Sequence, residues 1–102
     1  MAKVLILDRS KSVRNVLRER LEYEGFSAET AGDETEAGTL CGKIPFDVII
    51  SDTECRIPDP EIPFIVLSSD RSIDTAVEAV RNGAQDFLTK PVDMNRLLQT
   101  LH

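Results

Sequence analysis

Two carboxylates, a hydroxyl and an ammonium occupy comparable places along the chain: Asp8, Asp52, Ser68 and Lys90 each close or follow a short apolar run. Together they are the parts needed to move a phosphoryl group onto a carboxylate. Asp52 would be the nucleophile, Ser68 would hydrogen-bond a phosphoryl oxygen once acquired, and Lys90 would balance its charge. A divalent cation ordinarily shares that burden. Each residue alone has a plainer reading, because Asp often caps the turn after a strand and Ser is common there, so the information lies in the set.

The elements that must position this set are legible as apolar patterns. Val4 to Leu7, Phe46 to Ser51, Phe64 to Ser68 and Asp86 to Thr89 read as buried strands, rich in β-branched residues. Phe26 to Thr30 alternates apolar and polar residues after Gly25, which suits a strand nearer a sheet edge. Helical spacing appears in Val13, Val16, Leu17 and Leu21, predicting a helix over Ser12 to Glu24 with Ser10 or Ser12 as cap and Gly25 as terminator. Further helices are predicted from about Glu34 to Gly42, over the stripe Ile73, Ala76, Val77 and Val80 closed by Gly83, and over Met94, Leu97, Leu98 and Leu101. Strands alternating with helices imply parallel crossovers and an open, doubly wound α/β sheet with helices on both faces. Active crevices in such sheets lie at the carboxyl ends of the strands. All four chemical residues fall at that edge.

Composition narrows the function. With 102 residues the expectation is one domain over 1–102, and 12 Lys plus Arg against 18 Asp plus Glu give a net charge of -6 that repels nucleic acid and anionic membranes. No apolar run approaches a membrane span and no secretory core is visible at the start, so a cytoplasmic protein is expected. Cys41 and Cys55 with a single His at 102 suggest neither a zinc site nor a disulfide framework.

The segments VLILDRSKSVRNVLRERLEYEGF, FDVIISD and FIVLSSDRSIDTAVEAVRNGAQDFLTKPVD resemble, in that order, the first strand and helix, the third strand and the fourth-strand-to-fifth-strand block of bacterial response-regulator receiver domains. The last block is similar to receivers at the head of regulators that drive sigma-54 transcription. Ser68 and Lys90 stand 22 residues apart, with Phe87 three residues before the lysine, which is the family's aromatic switch position. The resemblance implies a flavodoxin-like five-stranded parallel sheet of order 2-1-3-4-5. It implies Asp52 as phospho-acceptor, Asp8 as an acidic metal-pocket residue, Ser68 and Phe87 as the switch pair, and Lys90 as the family's lysine. A sensor histidine kinase and a downstream effector domain or protein would be the partners, and the domain would catalyse its own phosphorylation without being a turnover enzyme. Lys90-Pro91 also has a physical reading: an X-Pro bond costs only about 0.5–1 kcal/mol in cis, so this step is a natural place for one.

Two departures stand out. Where the family places a second acid that ligates Mg²⁺, this chain has Arg9. Unit charges about 4 Å apart at an effective dielectric of 20 interact by roughly 4 kcal/mol, so replacing an attracting ligand by a repelling cation predicts weak or absent Mg²⁺ binding at Asp8 and Asp52. Glu54 could supply a compensating carboxylate or pair with Arg9. Second, the stretch TECRIPDPEIP between Asp52 and Ser68 is too short for the family's third helix and its loops. A helix advances about 1.5 Å per residue against about 3.1 Å for polyproline geometry, so Pro58, Pro60 and Pro63 predict an extended crossover there. The family's turn proline is also missing, since position 56 is Arg.

These departures open a rival to the phospho-accepting receiver: a pseudo-receiver that binds partners without phosphorylation, Arg9 standing in the metal's place. A phosphohydrolase reading lacks its Asp-x-Asp, because position 10 is Ser, and flavin binding has no phosphate-cradling loop. A lost helix would also bare the sheet. If about 300 Å² of apolar area stayed uncovered, at roughly 25 cal/mol per Å² the cost would be on the order of 7 kcal/mol. The expectation is partial cover by the loop through Ile57 and Ile62, with self-association as a homodimer over the remainder.

Overall fold

Strand β1 (Lys3–Leu7) is buried on both faces from Val4 onward, as a central parallel strand must be. It pairs in parallel with β2 (Ser27–Ala31) on one side and β3 (Val48–Asp52) on the other, and β4 (Phe64–Ser68) and β5 (Asp86–Thr89) continue the sheet in the order β2-β1-β3-β4-β5. This is the expected five-stranded parallel sheet. The computed structural model describes residues 2–52 and 55–102.

Four helices connect the strands among the described residues: α1 (Lys11–Tyr23), α2 (Glu34–Cys41), α3 (Ile73–Arg81) and α4 (Met94–Leu101). Their starts follow from capping chemistry, since Ser10, Asp33, Ser72 and Asp93 each accept a hydrogen bond from a backbone N–H of the first turn. Of the two candidate caps for α1, Ser10 serves, and Ser12 hydrogen-bonds to its hydroxyl. Gly25 and Gly83 both have φ of 95°, and each donates to the carbonyl three residues back while the next residue's N–H reaches five back. That is the paired closure that makes a left-handed glycine the natural stop.

Helices α1 and α4 cover one face of the sheet, with Leu17, Leu21, Leu97 and Leu98 against Val4, Ile6, Ile50, Ile65 and Leu67. Helices α2 and α3 cover the other, with Ala37 and Ala79 beside Leu5, Leu7, Ile49 and Val66. No helix lies between β3 and β4 among the described residues. In its place the loop folds over this second face: Cys55 is buried in the cluster, Ile57 and Ile62 pack against it, and Phe64 and Val66 beneath are only 8% and 7% exposed. The loop therefore gives the sheet the partial cover expected through Ile57 and Ile62.

The inward faces of two helices differ from expectation. Val16 is 60% exposed, and on α3 the stripe Ile73, Val77 and Val80 faces solvent at 79%, 42% and 62%, while Ala79 is the buried residue. Helix α3 lies against β5, the edge strand, so the side of the helix that overhangs the edge has no sheet beneath it. Small Thr75, Ala76 and Ala79 permit close approach on the other side. None of the described helices is long and apolar enough to cross a membrane.

Candidate functional site

The carboxyl edge gathers the four chemical residues. Asp8 follows β1, Asp52 ends β3, Ser68 ends β4 and Lys90 follows β5; the register places Asp52 opposite Leu67 and Ser68 opposite Thr89. The Lys90 N–H donates to the Ser68 carbonyl at 2.8 Å, extending the ladder by one step. The Lys90-Pro91 bond is cis.

At the centre the Lys90 ammonium bridges both carboxylates, 2.5 Å from Asp52 Oδ2 and 2.8 Å from Asp8 Oδ2. Asp8 is 1% exposed, and its other oxygen accepts the Ser10 N–H at 2.8 Å. Its Oδ2 is buried and is held by the ammonium as an ion pair. Burial alone pulls the Lys90 pKa down, but hydrogen bonds to Asp52 and Asp8 and the charge of both outweigh it, and the net shift is upward. The ammonium is thus fixed in its charged form.

Ser68 is also buried, and its hydroxyl accepts the Asp70 N–H at 2.9 Å, so it is engaged with the following loop rather than with Asp52. Phe87 is partly buried against the cluster under α2 and α3. Three contributors escaped the sequence reading. Arg14 Nη1 donates to the Asp8 carbonyl at 2.7 Å from one turn inside α1, and the Ser10 N–H secures the carboxylate. Cys55, assigned by the sequence to neither a zinc site nor a disulfide, sits close enough to feel the site: burial, then the Asp52 charge, push its thiol pKa up, while the charge of Arg9 and a hydrogen bond with it pull the other way. A side chain's reach across a turn leaves no periodic signal, so nothing in the spacing marked Arg14 or Cys55.

Asp8 and Asp52 are the described carboxylates that meet at this edge. A hard cation takes about six oxygens or more. Here no three His, Cys, Asp or Glu side chains cluster among the described residues, and the two carboxylates that do meet already share one ammonium, with Arg9 following Asp8 directly. Glu54, the candidate compensating ligand, lies outside the described residues.

Comparison with known proteins bears on this geometry. The family model for the response regulator receiver domain matches residues 53–102. The response regulator protein PilR of Pseudomonas aeruginosa is 34% identical over 93% of this chain and 24% of its own length. The chain spans about a quarter of the length of the curated relatives it matches. Among solved structures, chemotaxis protein CheY4 of Vibrio cholerae superposes with a TM-score of 0.86 at 33% identity, over 99% of this chain and 96% of that one. A response regulator protein from Burkholderia pseudomallei, solved with a phosphorylated aspartic acid, a calcium ion and citrate, superposes with a TM-score of 0.87 at 27% identity, over 100% of this chain and 67% of that one.

Proposed function

This chain belongs to the response regulator receiver family, and from that premise we propose that Asp52 accepts a phosphoryl group from a sensor histidine kinase or a small phosphodonor, switching the binding of a downstream effector. The observation that carries the reading is the Lys90 ammonium held between Asp52 and Asp8. An Asp52 oxygen would attack phosphorus as the bond to the donor's nitrogen or oxygen breaks, the electron pair leaving with the donor. The incoming negative charge would then meet Lys90, already charged and aimed. The Ser68 hydroxyl, which accepts the Asp70 N–H, would donate its O–H to a phosphoryl oxygen, a charge-assisted bond worth about 1.5–3 kcal/mol, and Phe87 would follow it inward. The output face would be α3, β5 and α4.

Arg9 makes metal binding weak in this reading, and it favours a second one, a pseudo-receiver that binds partners without phosphorylation. Amide shifts on adding phosphodonor separate the two. The receiver predicts changes clustered over 74–80 and 86–90, and an unchanged spectrum favours the pseudo-receiver. A titration of Mg²⁺ should show weak binding in the native protein and binding at least about tenfold tighter in Arg9→Asp; tight binding by the native protein would sink the metal argument.

A further inference from the structure

The crossover from β3 to β4 does more than cover the sheet. Its Arg56 N–H donates to Glu34 Oε1 at 2.8 Å, tying the loop to α2, and its far limb turns on Asp59, which accepts from Glu61 and Ile62. The loop therefore leans toward α2. Between it and α3 an open groove of about 980 Å³ remains, floored by Phe64 and Val66, walled by Ile57, Ile62 and Ala79, and ending at Asp52. The groove runs the length of β4, from Gly83 at the strand's start to Asp52 at its carboxyl end. Five strand residues span about 17 Å, close to three turns of helix at about 5.4 Å each.

The charge on this groove selects its occupant. Glu61, Asp74 and Glu78 line it against one cation, Arg56, while Asp52 is compensated by Lys90. None of the ion pairs among the described residues involves these three acids. A second copy of this chain is a poor match, because it carries a net charge of -6 and its exposed apolar stripe lies on a helix that itself bears Asp74 and Glu78. We propose that the groove docks a basic amphipathic helix of a partner protein, apolar anchors at i, i+3 or i+4 and i+7 on the floor and lysines or arginines along the acidic wall. The occupant's end would abut Asp52, so this surface sits beside the acceptor rather than on the far side of α3.

The test uses the unphosphorylated protein and therefore stands apart from the phospho-acceptor reading. The probe is a synthetic helical peptide with Leu at i, i+3, i+4 and i+7 and Lys on the flanks, compared with a scrambled peptide of the same composition. The ordered peptide should bind more tightly, with amide shifts over 55–66 and 74–83. Asp74→Lys with Glu78→Lys, both at exposed positions, should weaken binding by about tenfold or more, and the control pair Glu19→Lys with Glu24→Lys on the opposite face by no more than about twofold. Equal loss in the control pair, equal binding of the scrambled peptide, or shifts confined to the Ile73, Val77 and Val80 stripe would overturn the proposal. So would a concentration-dependent dimer whose shifts fill the groove without peptide.

Discussion

Lys90 is the residue on which the site's electrostatics turn. Removing its charge leaves Asp8, buried and ion-paired, without its cation, and breaking one partner of such a pair costs about 3–5 kcal/mol. Lys90→Met should lower stability toward that range in urea unfolding, and adding Asp8→Asn should recover a substantial part of it; a single variant as stable as the native protein would contradict the geometry. Cys55 yields a second prediction. With burial and the Asp52 charge holding its thiol pKa up against Arg9, it should react slowly with a thiol reagent at neutral pH, and charge reversal at Arg9 should slow it further, a change read as a rate of labelling. The spacing of Asp8, Asp52, Ser68 and Lys90 was enough to name the set, because strand ends in a parallel sheet converge by topology. The backing of Asp8 by Ser10 and Arg14 was not legible, since it depends on where α1 begins and how far a guanidinium reaches.

At the scale of elements, the two left-handed glycines and one acidic clamp are open to measurement. Gly25 has nothing within 4 Å of the place a Cβ would occupy, and Gly83 only Phe64 Cε1 at 3.9 Å, so Gly25→Ala and Gly83→Ala should each cost about 1–2 kcal/mol from backbone conformation rather than clash. Asp86 is the clamp between β5 and α4. Burial pushes its pKa up, but the Thr100 hydroxyl, the Phe87 N–H and Arg96 outweigh it and hold the group below its ordinary value. Its contribution to stability is therefore complete above the unfolded carboxylate value of about 3.9 and is lost as pH falls through the folded value. Asp86→Asn should flatten the acid limb of the stability curve, and an unaltered limb would contradict the clamp. Element types and order were legible in the sequence because β-branched runs and helical stripes alternate cleanly. Helix faces were less so: the Ile73, Val77 and Val80 stripe reads as core by periodicity, and only the position of α3 over an edge strand turns it to solvent.

Taken whole, the molecule keeps a doubly wound sheet with no helix between β3 and β4 among the described residues, and the loop's Cys55, Ile57 and Ile62 supply part of the cover that a helix would give. The self-association expected from the lost helix thus has less apolar surface to drive it, and acidic groups rim what remains. Sedimentation across micromolar concentrations should find a monomer at low salt, and a stable dimer there would show a self-complementary face. The short crossover was legible from the length and prolines of the TECRIPDPEIP stretch, whereas its lean toward α2 depends on one Glu34 hydrogen bond that no local pattern signals. The central claim is that Asp52 remains a phospho-acceptor although Arg9 stands where a metal ligand would. It is tested most directly by exposing the native protein to a small phosphodonor with Mg²⁺ present and reading the intact mass and the modified residue by mass spectrometry. The account predicts one phosphoryl group, located at Asp52 and absent from Asp52→Asn. An unmodified native protein alongside an Arg9→Asp variant that does take up phosphate would contradict it, and would make this domain a receiver by fold alone.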